Sequence, residues 1–206
     1  MIVTISREYG AGGLAVAGGV AAAFGYELFS DQIPAEVAAR LGTSSDDVDA
    51  RAESEAPLAE RILVDMGAGS PQTVGPDAAP LLDPFDEDVR REIERAIRER
   101  AARGDVVVLG RVGNAVLAGT PGLVRAFVYA ERDWRLGRLM TALGFDLAKA
   151  NAEIDRIDVE RRKFANERYK IAWGDRRYYD VIVDASRLGI DGAVATIVAA
   201  VRALGP

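Results

Sequence analysis

The run "DVVVLG", residues 105–110, constrains this chain more than any other stretch. It is continuously apolar and β-branched, with no alternating polar residue. Such a run reads as a strand buried on both faces, as in a parallel sheet covered by helices on each side. Similar candidate strands are Ile2 to Ile5, Tyr26 to Phe29, Asp105 to Leu109, Leu123 to Tyr129 and Asp180 to Val183. Amphipathic segments separate them. In "DEDVRREIERAIRERAARG", Val89, Ile93, Ala96 and Ile97 fall on one helical stripe, and Gly104 supplies a stop. Near the C-terminus Val194, Ile197, Val198 and Val201 repeat that spacing. Strands joined through helices require right-handed crossovers, so the expected architecture is three-layer α/β/α.

Composition narrows the chemistry. The 206 residues, 49% hydrophobic and 28% charged, suit one globular domain. No apolar run approaches a membrane span, and no basic segment leads into a signal-type core, so the expectation is a cytoplasmic protein with no membrane partner. With no cysteine there is no disulfide or thiolate metal site. With no histidine there is no Ser-His-Asp triad and no histidine-bound zinc. A net charge of −6 argues against nucleic acid as a partner. There are no internal repeats. Two segments break the alternation: residues 31 to 83, which include most of the Gly/Pro/Ala-rich "GAGSPQTVGPDAAPLLDP", and "NAEIDRIDVERRKFANERYKIAWGDRRYY". The first reads as short helices and a long loop. In the second, Ile154, Ile157 and Phe164 form a narrow apolar seam on a charged helix, leaving its arginines to face a cleft.

The stretch "SREYGAGGLAVA" passes from strand to glycines to helix. Glycines there permit positive φ and let backbone N–H groups converge on an anion at a helix N-terminus. Against the phosphate-loop pattern G-x-x-x-x-G-K-[ST], Gly13 stands where lysine belongs, and Leu14-Ala15 where the hydroxyl residue falls. By its residues alone the stretch is either a phosphate site or a strand-to-helix turn. Arg111 directly follows "VVVLG", at the strand edge where open α/β sheets place ligands, or else it is a solvated helix-start arginine. Asp31 follows the second strand and either positions a ligand or metal, or caps the next helix. Asp158, Arg161 and Arg168 share one helical face, and Arg162 lies four residues after Asp158, near enough for a surface ion pair. Arg135 and Arg138 add cations to the helix after the fourth strand.

"ISREYGAGG", "YELFSDQI", "VVVLGRVGNAVL", "RLGRLM" and "DVERRKFANERYKIAWGDRRYYDVIVDASRLGID", in that order, resemble the cytidylate kinase-like family of P-loop kinases. Residues 43 to 85 match it poorly. The resemblance implies a five-stranded parallel sheet in order 2-3-1-4-5 with a helical lid. It implies one domain over 1–206, with an acceptor-side insertion at about 31–85 and a lid at about 146–178. It further implies a phosphotransferase that uses ATP and Mg²⁺ and acts on nucleotides, with CMP the first acceptor to test. Gly10, Ala11, Gly12, Gly13 and Leu14 would hold the ATP phosphates; Asp31 and Arg111 would bind the acceptor; Arg161, Arg162 and Arg7 would serve catalysis. No metal ligand is assigned. The sequence departs from the family at Leu14 and Ala15, where an arginine and a polar residue are usual. A non-catalytic nucleotide-binding or regulatory protein, and a kinase for another small molecule, therefore stand as alternatives.

Overall fold

The computed structural model describes residues 1–30, 32–42, 44, 48 and 87–205. Strands β1 (Ile2–Arg7), β2 (Glu27–Phe29), β3 (Val106–Leu109), β4 (Leu123–Tyr129) and β5 (Val181–Asp184) form one sheet in order β2-β3-β1-β4-β5. Every pairing is parallel. β1 is central, with Ile2 opposite Val106 on one side and Leu123 on the other. The expected strand order holds.

The two-residue period of the strands divides the core. Val3 and Ile5 join Val107 and Leu109 on one face, packed against α1 (Gly13–Phe24) and α7 (Ala185–Leu204). Ile2, Val106 and Val108 face the other way, against α2 (Gln32–Leu41), α3 (Glu87–Ala102) and the short α4 (Gly113–Val116). All four residues of β3 are buried, as the unbroken β-branched run requires. The stripe Val89, Ile93, Ala96 and Ile97 faces the core, and so do Ile197, Val198 and Val201 of α7.

The Gly18-Gly19 pair, unfavourable for helix propensity, has a packing reason at Gly19. A Cβ there would lie 2.6 Å from Val194 Cγ2, closer than packed atoms approach, so Gly19 lets α1 and α7 meet. α1 runs through the pair without interruption. α7 is broken instead at Gly189, whose φ of 69° and ψ of 174° are not helical.

Two further helices lie beyond the sheet's C-terminal edge: α5 (Arg132–Leu143) and the 23-residue α6 (Leu147–Tyr169). Their shared seam is Leu136, Leu139, Ala150, Ile154 and Ile157, with Tyr9 inserted between them. Among the described residues no helix is long and apolar enough to cross a membrane. The long "GAGSPQTVGPDAAPLLDP" stretch and Asp31 lie outside the described residues.

Strands β4 and β5 are clamped by Arg125 and Asp180. The Arg125 guanidinium donates to both Asp180 oxygens at 2.6 and 3.1 Å, and its backbone N–H donates at 2.8 Å. These bonds hold the Asp180 carboxyl below its ordinary pKa. A depressed carboxyl contributes stability above its unfolded pKa of about 3.9, and that contribution is lost as pH falls through the lower folded value. Urea unfolding of Asp180→Asn should therefore lie up to about 1 kcal/mol below the parent at pH 7 and converge with it once pH falls below the folded-state value. A deficit unchanged into acid would assign the effect to packing.

Candidate phosphate-binding site

The site is built where β1 and β3 end. β1 delivers Ser6 and Arg7, and the chain then turns through Glu8, Tyr9, Gly10, Ala11 and Gly12 into α1. Gly10 and Gly12 take φ of 78° and 79°, a conformation that side chains with a Cβ resist. Gly12 also has no room for one, because a Cβ would collide with Ile190 at the start of α7. α1 begins with no side-chain cap and no acid in its first turn. Its positive end thus stays available to an anion.

β3 ends in a second unusual turn. Gly110, Arg111 and Val112 all have positive φ, at 73°, 52° and 50°. For a β-branched residue such as Val112 this is an outlier, and strain of this kind is held only where neighbours over-determine it. Gly110 N–H donates to Ile5 O at 2.9 Å, tying the turn to β1. Gly113 packs so closely that a Cβ would lie 3.1 Å from Val108 Cγ1. The turn aims Arg111 back over the strand ends, beside Ser6 and Arg7, where the residue is 7% exposed.

The helix α6 closes the arrangement. Arg161, 2% exposed, donates from Nη1 to the Arg7 carbonyl at 2.8 Å. Asp158 accepts the Tyr9 N–H at 2.9 Å and the Arg135 guanidinium at 2.6 Å, and Arg135 also reaches Tyr9 O at 3.3 Å. Glu8 caps the far side, accepting the Ala130 N–H at 3.2 Å with Arg135 Nε 3.6 Å away. Burial pushes the Glu8 carboxyl above its ordinary pKa, and Arg135 opposes that rise. Helix α6 therefore grips the loop backbone at two points, Arg7 and Tyr9.

Arg7, Arg111 and Arg161 line one narrow pocket with Ser6, Gly110, Val112 and Trp173. Among the described residues no carboxylate lines it. Its free volume is about 10 Å³, about one water molecule. Trp173 borders this pocket and packs edge-on against Phe127 of β4, with ring centroids 5.1 Å apart. A roomier hollow of about 460 Å³ lies along α5, between Asp133, Trp134, Gly137, Arg138, Thr141 and Ala142. Arg138 stacks over Trp134 at 4.8 Å and lies 3.6 Å from where a Gly12 Cβ would stand. Desolvation lowers its guanidinium pKa.

Gly10 to Leu14, Arg7, Arg111 and Arg161 are thus gathered at one edge of the sheet. Arg162 is exposed on the outer side of α6. Arg135, a candidate phosphate cation by sequence, is committed to Asp158 and Tyr9. Ser6 and Val112 carried no sequence signal beyond their place beside candidate residues. Neither did the buried Tyr9, whose only mark is an aromatic in a glycine loop.

This sheet order, with a glycine loop leaving the central strand, defines a P-loop kinase fold. The chain belongs to the cytidylate kinase-like family, which it matches over residues 2–187. It is 32% identical to a cytidylate kinase of Methanopyrus kandleri, over 57% of this chain and 65% of that enzyme, so the match falls short of the relative's full length. In fold it is similar to the crystal structure of an uncharacterized protein from Eubacterium ventriosum (TM-score 0.68, 21% identity, 98% of each chain covered). A shikimate kinase from Bacteroides thetaiotaomicron shares the fold at a TM-score of 0.53 and 12% identity, over 96% of this chain and 95% of that one.

Proposed function

We propose that this protein transfers the γ-phosphoryl group of ATP to a nucleoside monophosphate, with CMP the first candidate. The observation that carries this reading is the convergence of Arg7, Arg111 and Arg161 on one pocket beside the glycine loop. Phosphoryl transfer asks for alignment and charge neutralisation more than for covalent chemistry. An acceptor phosphate already carries a nucleophilic oxygen at neutral pH, so a chain without histidine is no obstacle. That oxygen attacks the γ-phosphorus as the bond to the ADP oxygen breaks. The amides of Gly10 to Leu14 hold the donor phosphates, Arg7 and Arg161 neutralise the moving group, and Arg111 holds the acceptor phosphate.

Mg²⁺ enters this scheme as part of the ATP substrate. Among the described residues no group of three acids is placed to hold a metal, and Ala15 stands where a hydroxyl ligand would. Mg²⁺ often takes most of its ligands from substrate phosphates and water, so such a cage is not required.

Calorimetric titration with MgATP and with each nucleoside monophosphate, followed by coupled ADP release, tests the proposal. CMP-dependent ADP release supports it; turnover with a non-nucleotide acceptor only would reassign the substrate. A second reading, a nucleotide-binding protein without turnover, is favoured by the missing lysine and hydroxyl at Gly13 to Ala15. Binding without ADP release would select it. Arg111→Ala is expected to weaken acceptor binding by about 1.5–3 kcal/mol, the range for a hydrogen bond to a charged group, while ATP binding changes little. Unchanged acceptor affinity in this variant would remove Arg111 from the acceptor site.

A further inference from the structure

In G-x-x-x-x-G-K the first glycine stands six residues before the lysine. With Gly12 as the second glycine, those two positions are 7 and 13. This chain has arginine at 7 and glycine at 13, so the long cationic side chain and the glycine have changed places. The structure gives the reason they must change together. A Cβ at Gly13 would lie 2.6 Å from Arg7 Cβ and 3.2 Å from its Cδ, and would collide with Cγ. Arg7 cannot move away, because it is the last residue of β1, in register with Val128 of β4, and its carbonyl is held by Arg161. Arg7 is 5% exposed and borders the arginine-lined pocket. Positions 7 and 13 thus share one volume, which admits one long side chain.

We infer that Arg7 supplies the donor-phosphate cation that ordinary loops place at the start of the helix, and that Gly13 is the condition that lets it lie there. This deepens the proposed function and rests on it. The exchange has chemical consequences. A guanidinium offers a planar fork of donors and stays charged at all working pH, where a lysine offers a mobile point charge. Because Arg161 holds the Arg7 backbone, α6 also becomes the element that positions the loop cation.

The test compares the parent, Arg7→Gly, Gly13→Lys, and the double exchange Arg7→Gly/Gly13→Lys, which restores the usual pattern, with Gly13→Ala added in both backgrounds. Two quantities are read, the thermal midpoint without ligand and the dissociation constants of pyrophosphate and MgATP. Gly13→Lys should lower the midpoint in the parent and leave it nearly unchanged in the Arg7→Gly background; Gly13→Ala, a milder intrusion, should follow the same pattern. Arg7→Gly should weaken both ligands about 10- to 100-fold, and the double exchange should recover most of that loss. If Gly13 substitutions destabilise both backgrounds equally, the shared volume is refuted. If Arg7→Gly binds both ligands as tightly as the parent, or the double exchange binds no better than Arg7→Gly, the role of Arg7 as the displaced loop cation is refuted. A parent that binds neither ligand overturns the kinase reading and the phosphate role with it, while the midpoints still decide the shared volume.

Discussion

Asp158→Ala is expected to destabilise the protein by about 3–5 kcal/mol, read as a lowered urea midpoint with an unchanged slope. The carboxylate and its partner Arg135 are both buried, with side chains 7% and 9% exposed. Removing it leaves a guanidinium in a low-dielectric site, with the more distant Glu8 and Asp155 as the opposite charges among the described residues. It also orphans the Tyr9 N–H, a buried donor that then carries its full desolvation cost. Asp158→Asn should fall between, since its amide oxygen can still accept from Tyr9 while the charge is lost. Replacing both partners, as Arg135→Met with Asp158→Leu, should cost less than Asp158→Ala alone, because no unpaired charge remains. A loss under about 1 kcal/mol for Asp158→Ala would mean that Glu8 or water takes over the arginine.

The second large effect is expected at Arg161. If the proposed transfer is observed, Arg161→Ala should lower its turnover by about 10²- to 10³-fold, the usual consequence of losing one preorganised donor at a site of developing charge. The same substitution removes the bond to the Arg7 carbonyl, so stability and rate must be read separately. Arg161→Lys keeps a charge but loses the fork that could serve carbonyl and phosphate together, and should recover only part of the rate. Arg162→Ala supplies the contrast: exposed on the outer face of α6, it should leave turnover within a few-fold of the parent. Equal losses at the two positions would show that the charge of α6 acts at long range and not by contact.

Adjacent arginines with such different surroundings mark where sequence reading reaches its limit. The helical period puts Asp158 and Arg161 on one face, but Arg162, about 100° from Arg161, lies only about 40° from Asp158, so spacing alone does not separate it from that face. What that face meets is not written in the helix. It meets Arg7 and Tyr9, about 150 positions earlier, and Arg135 on another helix. The strand order was accessible for the opposite reason. An unbroken β-branched run such as "VVVL" is buried on both faces, alternation with helices demands parallel crossovers, and the ordered family resemblance supplies the sequence of strands. The Gly18-Gly19 pair is unfavourable in a helix by its propensity alone, and only Val194 of α7 supplies the packing reason for Gly19.

The opening loop divides in the same way. Local chemistry, legible along the chain, determined that a strand would end in glycines able to take positive φ and lead into a helix, and that lysine and hydroxyl were missing there. These properties depend on residues within a few positions of one another. That Arg7 occupies the space a side chain at Gly13 would need, that Arg111 bends back to join it, and that Arg161 fastens the loop from outside were decided only by the tertiary structure. Each depends on which volumes and dipoles are brought together across a sheet edge, and a linear order of residues does not contain those distances.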